Sequence, residues 1–398
     1  MNSCIFSFFS GAGFLDLGFE KSGFKIAYVS DINPTFIKAY RYSRKCLQLP
    51  EPEYGYNSGE NADIVQLTEG EKALRLWELV QDARKQSELI GFIGGPPCPD
   101  FSVGGKNRGQ NGENGKLSDT YIELIIQQKP DFFLFENVKG LYKTQKHKMF
   151  FEFLKEKLVQ AGYVLTERLI NALEYGVPQD RDRIILIGFR KNIITDLGIK
   201  IKKADFLPEG LFPWEKYMSY SRTDITKYSW PTISPFQENS VILCPDGIPE
   251  NLTVENWFRK NDVLNHPNAE NHFQPRAGIK KIISVSEGDD SKKSYKRLHR
   301  WRYSPTACYG NNEVHLHPYK VRRLSVAETL AIQSLPKEYA LPQELSLSSM
   351  FKMIGNGVPY LASKGIATTI KQFLTGYSQP TSEKLELPMT TLSNLCII

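Results

Sequence analysis

The stretch Gly94-Gly95-Pro96-Pro97-Cys98-Pro99-Asp100-Phe101-Ser102 sets a single thiol among prolines, behind two glycines. Proline fixes φ and removes a backbone donor, and it pushes the preceding residue out of the helical region. The expected result is a stiff, extended turn with Cys98 at its tip. Such a mount suits a nucleophile, because a small misplacement of a reacting atom is costly. The other reading of Cys98 is a small buried apolar residue, a common fate of free cysteine. The run 101–116 that follows is polar, rich in glycine and asparagine, and too long for a simple connector. Such loops serve as functional lids or are disordered.

Three further groups have chemistry in their spacing. Glu136-Asn137-Val138 closes the apolar run "FFLF". In an open α/β sheet, ligands bind at the carboxyl ends of strands, which brings Glu136 to the edge that holds Cys98. A carboxyl beside a thiol there implies covalent catalysis with acid assistance, against a plain capping role for Glu136 or Asn137. Gln179, Arg181 and Arg183 alternate before another apolar run, so at period two they face one side. Arginines there suit phosphate or base-carbonyl contacts; the alternative is a solvated charge cluster with Asp180 and Asp182. The third group is "FFSGAGFLDLGFE" at 8–20, in which a strand enters Ser10-Gly11-Ala12-Gly13 and then a helix. Glycines permit close backbone approach and the helix N-terminus offers free N–H groups, although a tight structural turn would look the same. Asp16 stands where a dinucleotide-binding loop would have its third glycine. Asp31, ending the next strand, is placed to hold ribose hydroxyls. Asp63 and Ile64, after the following turn, are candidates for the adenine. The expectation is an adenosine-containing cofactor that needs no pyrophosphate.

The elements that must position these groups are legible as alternating signals. Buried strands are predicted over 4–9, 25–30, 89–95, 131–137 and 183–189, with helices from Leu15, from Asn33-Pro34, and over 69–85. This alternation predicts a doubly wound, largely parallel α/β sheet. Residues 191–320 lose the pattern and read as a smaller, loop-rich domain. Order returns at 322–336, a helix with Ser325 as N-cap and Glu328 at the capping-box position, and at 357–374. The predicted organisation is a domain of 1–190 plus 321–375, a second domain of 191–320, and a mobile tail at 376–398.

Composition bounds the classes. The 398 residues are 41% hydrophobic and 24% charged, as in soluble globular proteins. No apolar run of about 18 residues suggests a membrane span, and the N-terminus lacks a basic, signal-like start. Six cysteines without CxxC pairs point to a reducing, cytoplasmic setting. The net charge of +6 permits a polyanion partner. Within 291–302 stand Lys292, Lys293, Lys296, Arg297, Arg300 and Arg302, with no acid and with Tyr295, Trp301 and Tyr303 interleaved. That composition suits phosphate contacts with some stacking, against a solvated charge run. Residues 287–290, Glu-Gly-Asp-Asp, are expected in solvent. His315 and His317 resemble half a metal site, but without matching ligands they read as surface or packing histidines, so no metal is expected.

In their order, these motifs resemble the DNA (cytosine-5)-methyltransferase family of the bacterial restriction–modification type. "FFSGAGFLDLGFE" looks like its S-adenosylmethionine loop, "GGPPCPDFS" its nucleophile motif, "FENVKG" its Glu-Asn-Val motif and "QDRDR" its Gln-x-Arg-x-Arg motif. "RRLSVAETLAIQSLP" and "IGNGVP" (354–359) resemble its last two motifs. Pro99 stands where the family has Gln, and Phe14 where its loop has a second glycine. The resemblance implies an S-adenosylmethionine-dependent methyltransferase fold with a target-recognition domain in 191–320. It implies Cys98, Glu136, Arg181 and Arg183 as catalytic residues. Phe9, Ser10, Gly11, Ala12, Gly13, Asp31, Ile32, Asp63, Ile64, Pro96 and Asn356 are its cofactor residues, with the helix near Asn356 packed back beside the first strand. Ser102, Lys106 and Arg108 join the six basic residues of 292–302 as DNA contacts. The implied partners are double-stranded DNA and a cognate restriction endonuclease, with the enzyme acting as a monomer in the cytoplasm. An RNA cytosine-5 methyltransferase and a catalytically silent DNA-binding protein are the other readings, and the intact Cys98, Glu136, Arg181 and Arg183 speak against the second.

Overall fold

In the computed structural model, residues 2–97, 113–201, 205–275, 278–307, 309 and 313–375 are described. Their strands form one seven-stranded sheet: β1 (Ser3–Phe8), β2 (Lys25–Asp31), β3 (Tyr56–Ser58), β4 (Leu89–Gly94), β5 (Phe132–Val138), β6 (Tyr163–Asn171) and β7 (Asp182–Arg190). The order across it is β3-β2-β1-β4-β5-β7-β6. Neighbours among β1–β5 pair in parallel, while β7 runs antiparallel to both β5 and β6. Every residue of β1 and β4 is buried, which is why both read as continuous apolar runs rather than as alternation. The doubly wound class therefore holds. Two strands were not foreseen: β3, three residues long, and β6, whose mixed sequence "YVLTERLIN" has no apolar run.

Helices α1 (Phe14–Lys21), α2 (Pro34–Cys46), α3 (Gly70–Gln86), α4 (Glu113–Gln128) and α5 (Gln145–Gln160) alternate with the strands. Short helices α6 (Lys191–Asp196), α7 (Arg222–Lys227), α8 (Val254–Lys260) and α9 (Ile279–Ile283) follow, and α10 (Val326–Ile332), α11 (Leu347–Asn356) and α12 (Tyr360–Thr375) close the described chain. One sheet face packs Phe6, Phe92 and Phe133 against Val80 of α3, Ile125 of α4 and Leu154 of α5. The other packs Ile5, Phe132 and Leu134 with Phe19 of α1 and Ile366 and Ile370 of α12. The helix expected beside the first strand, α12, shares the core of Ile5 and also lies on α1, where Ser363 Oγ donates to the Leu15 carbonyl at 2.6 Å. Gly18 makes that approach possible, since a Cβ there would sit 2.6 Å from Lys364 N. Helix α10 is shorter than expected, but its Ser325–Glu328 capping box is formed.

The middle segment is loop-rich, as expected, yet it shares a core with the rest. Val254, Trp257, Leu298 and Val314 lie in one apolar cluster with Phe14 and Leu17 of α1, Leu330 of α10 and Ile354 of α11. Packing thus runs across the 190/191 and 320/321 divisions. Among the described residues no helix is long and apolar enough to cross a membrane.

Candidate active site

The carboxyl ends of β4 and β5 meet the start of β7. Glu136 pairs with Ile185 and Val138 with Arg183, so Glu136 and Arg183 are diagonal neighbours on one sheet face. Arg183 Nε lies 2.7 Å from Glu136 Oε1, with both side chains mostly buried. Its Nη1 donates to the Asp182 carbonyl at 2.7 Å. The glycine ending the strand-to-turn passage is fitted to this pair: a Cβ on Gly95 would lie 2.6 Å from Glu136 Oε2. Pro96 is buried and Pro97 exposed. Cys98, Pro99, Ser102, Lys106 and Arg108 lie outside the described residues. A carboxyl oriented by a guanidinium at a strand edge can hydrogen-bond or protonate a ring nitrogen.

Gln179 and Arg181 do not share Arg183's direction. Gln179 Oε1 accepts from Ala307 N at 3.0 Å, and its Nε2 donates to Gln333 Oε1 at 3.3 Å. Gln333 in turn donates to the Ile354 carbonyl at 2.6 Å. Arg181, buried, donates from Nη2 to the Gly355 carbonyl at 2.8 Å and from Nη1 to the Ala307 carbonyl at 3.3 Å. The expectation of one common face is thus corrected. The residues before β7 are bonded to two distant loops, with Arg181 buried between them. The acids of this segment are held by an amide: Asn171 Nδ2 donates to Asp180 at 2.6 Å and to Asp182 at 2.9 Å. Burial works to raise the Asp182 carboxyl, but hydrogen bonds from Lys139 and Asn171 and the charge of Arg222 hold it below its ordinary range. Gln333 was missed by sequence reading. Its one signal is a polar residue closing the apolar run of α10.

At the glycine loop, Phe9 (φ 53°), Gly11 (φ 57°) and Gly13 (φ 83°) all adopt left-handed backbone. Phe9 therefore ends the strand one residue earlier than expected. Asp31 fastens the loop: its Oδ2 accepts from Gly11 N and its Oδ1 from Asn33 N, both at 2.8 Å. Burial raises the Asp31 carboxyl, with these amides and the Lys352 ammonium opposing. Asn356 is exposed at the end of α11. Beneath the loop, buried Asp16 accepts from Ser7 Oγ at 2.8 Å and from Tyr40 Oη at 2.7 Å. Burial lifts Asp16 to about 6. Ala12 is buried, and its carbonyl accepts from Tyr339 Oη at 2.6 Å. Phe14, the departure from the family loop, packs edge-on to Tyr339 and against Gly357, in the core.

The residues present fit an adenosine cofactor. Ser10 Oγ is buried without a partner among the described residues, and Ile32 is 59% exposed beside Asp31. Ser10 is therefore a donor in waiting, and Ile32 an apolar wall. Ile64 is buried within a core cluster, and the neighbouring Val65 is 44% exposed. Asp63 accepts from Val65 N at 3.1 Å and keeps partial exposure.

The basic stretch divides. Lys292 and Lys293 are exposed, Lys293 pairing with Glu313 at 3.1 Å, and Lys296 and Arg302 are half-buried. Arg297 is fully buried. It donates to the carbonyls of Val285, Ile282, His317 and Lys320, and burial draws it down to about 10. Arg300 is buried against Glu287 at 2.8 Å, and Trp301 is buried as well. Arg297 and Arg300 are thus internal braces rather than DNA contacts, Trp301 cannot stack, and Glu287 is not in solvent. Composition cannot separate a solvated arginine from one spent on carbonyls. His315 and His317 are buried, with His317 Nε2 3.3 Å from Glu328 Oε1, which makes them packing histidines.

The family model described as C-5 cytosine-specific DNA methylase matches residues 4–372. Type II methyltransferase M.NmeDI of Neisseria meningitidis serogroup C is 55% identical over 377 residues, covering 95% of this chain and 85% of that protein. Type II methyltransferase M.FnuDI of Fusobacterium nucleatum is 29% identical, covering 93% and 95%. Two crystal structures share the fold. A putative DNA modification methyltransferase encoded within an E. coli prophage gives a TM-score of 0.59 at 20% identity, covering 94% of this chain and all of that one. The S. pombe Dnmt2 methyltransferase gives 0.56 at 12% identity, covering 95% of this chain and all of that one.

Proposed function

The chain belongs to the C-5 cytosine-specific DNA methylase family, and from that premise we propose that it methylates C5 of a flipped-out cytosine within a specific double-stranded DNA sequence. The observation that carries the reading is the Glu136–Arg183 pair at 2.7 Å, set against Gly95 at the head of the proline turn that leads to Cys98.

Cytosine C5 is a poor nucleophile. Addition of the Cys98 thiolate to C6 gives C5 enamine character. Glu136 donates a hydrogen bond or a proton at N3, so that charge does not build up on the ring. Arg183 Nε holds the Glu136 carboxyl, and Nη2, which takes no partner among the described residues, is the arm available for the C2 carbonyl. Arg181 fixes the strand start from which Arg183 reaches. S-adenosylmethionine, when bound, supplies an electrophilic methyl group. Ser10, Asp31, Ile32, Asp63, Pro96 and the end of α11 at Asn356 are the residues to hold it. Loss of the C5 proton with elimination then frees the thiolate. None of this is possible inside a stacked duplex, so the base must be extruded.

The middle segment, 191–320, reads the target, with Lys292 and Lys293 on phosphates. The enzyme works in the cytoplasm as a monomer, and its site is shared with a restriction endonuclease, as the Type II names of its relatives suggest. The test is methyl transfer from labelled S-adenosylmethionine to duplex DNA and, separately, to folded tRNA. The expected product is 5-methylcytosine in DNA at one recurrent sequence. Label in tRNA would move the chain to RNA methylation, and no transfer to either would support a silent DNA-binding protein.

A further inference from the structure

The arginine and tryptophan removed from the list of DNA contacts have another task. Arg300 Nη2 donates to Ser240 Oγ at 2.8 Å, and its Nη1 donates to the Ser240 carbonyl. Trp301 Nε1 donates to the Ile242 carbonyl at 2.9 Å. Asn239 N donates to the Tyr319 carbonyl at 2.8 Å. The backbone of 239–242 is thus tied at Asn239, Ser240 and Ile242, the last two by the buried Arg300 and Trp301. Yet this fixed strip carries Val241 at 91% exposure and Leu243 at 86%. Scattered apolar side chains on a surface need no explanation. Two nearly bare aliphatics on a strip held by a buried Arg300–Glu287 ion pair do, because the buried pair is costly to assemble.

We infer that Val241 and Leu243 are specificity-determining residues that pack on base edges in a groove of duplex DNA, with Arg300 and Trp301 as the scaffold that presents them. The inference rests on the DNA-methylating function proposed above. Three observations favour DNA over a protein partner. Two side chains fall far short of the roughly 800 Å² per partner that a stable protein interface uses. The scaffold is continuous with the catalytic edge: three residues after Trp301, Ser304 exchanges backbone hydrogen bonds with Pro178 and Asp180, just ahead of Arg181 and Arg183. Arg259, exposed and paired with Glu255 at 3.0 Å, stacks on Trp301 and so brings one guanidinium to the strip. Apolar side chains read the C5 edge of pyrimidines, a contact that hydrogen-bonding groups cannot copy.

The test uses the full-length protein and the Val241→Ser/Leu243→Ser double variant, with each single variant beside it. Both side chains are exposed, so thermal midpoint and cofactor affinity should match the wild type. Methylated cytosines are mapped by bisulfite sequencing of DNA from cells expressing each protein. kcat/KM is measured on the site the wild type defines. The expected result is a relaxed target sequence at one or more positions and a fall in kcat/KM of about 5- to 150-fold, the range for a lost base contact. The salt slope of DNA binding should not change, because no phosphate contact is removed. An unchanged map with kcat/KM within twofold would overturn the inference. So would a concentration-dependent dimer of the wild type that the variant loses while its map stays the same, which would give the strip to a second copy of the chain. A wild type that methylates no DNA would instead sink the function proposed above.

Discussion

Gly95→Ala separates catalytic geometry from stability at a single position. The added Cβ would lie 2.6 Å from Glu136 Oε2, while the Cβ and Cδ of Glu136 would be in ordinary contact at 3.7 Å. Ordinary contact begins near 3.4 Å, so the carboxylate must move by about 0.8 Å. That movement is cheap for the fold, because the obstacle is the end of a flexible side chain that can swing while its Cβ and Cδ stay in ordinary contact. It is expensive for chemistry. The carboxyl leaves the position set by Arg183 at 2.7 Å, and a misplacement of about 1 Å costs about 10²-fold, or about 2.7 kcal/mol at the barrier. Single-turnover methyl transfer, thermal midpoint and S-adenosylmethionine affinity are measured side by side. The expected variant keeps its midpoint within about 3 °C, binds cofactor normally and transfers methyl about a hundredfold more slowly. A rate within threefold of wild type would show that Glu136 does not act from this position.

Asp31→Ala removes the acceptor for Gly11 N and Asn33 N; calorimetry should find S-adenosylmethionine bound about 1–3 kcal/mol more weakly, and unchanged affinity with an intact fold would move the pocket elsewhere. Burial lifts Asp16 from an ordinary 3.8 to about 6. Its folded form therefore prefers the proton, and the stability this brings is whole below about pH 4 and lost as pH rises through about 6. Relative to Asp16→Asn, the wild type should lose on the order of 3 kcal/mol between about pH 4 and about pH 7; paired urea midpoints with a constant gap across that range would contradict this. Arg297→Ala strips a donor from four carbonyls and should cost at least about 3 kcal/mol of stability. Lys292→Ala with Lys293→Ala should leave stability alone and lower the salt slope of DNA binding by about 1 per lost contact; the reverse pattern would restore Arg297 as a DNA contact.

The parts legible in the sequence were those whose signal is local. β1, β4 and β5 are buried on both faces, so their sequences are dominated by apolar residues rather than alternating with charged ones. Gly11 and Gly13 mark left-handed backbone, and Glu136 falls where the sheet rule puts a ligand-facing group. What escaped depends on distant partners. β6 lies at the sheet edge with Glu167 and Arg168 partly exposed, so its composition is mixed. Arg297 and Arg300 look like phosphate ligands until Glu287 and four carbonyls are brought to them by the fold. The division at 320/321 follows a change in local periodicity, whereas the core containing Leu298, Val314 and Leu330 ignores it. A target-swapping chimera cut at 191 and 320 therefore has to match that core as well as the DNA-facing loops.

The proline turn ending in Cys98 is tested most directly by trapping. Duplex DNA carrying 5-fluorocytosine at the methylated position can accept the thiolate at C6 and the methyl at C5, but it cannot lose fluorine as a cation, so elimination stops. A protein–DNA complex should survive denaturing electrophoresis, require S-adenosylmethionine for full yield, and map to the peptide containing Cys98. Cys98→Ser should abolish it, since a serine hydroxyl is far less ionised than a thiol near neutral pH, while DNA binding persists through phosphate contacts. If active wild-type protein formed no adduct, or if Cys98→Ser methylated DNA at near the normal rate, Cys98 would be structural and covalent catalysis at this site would be contradicted.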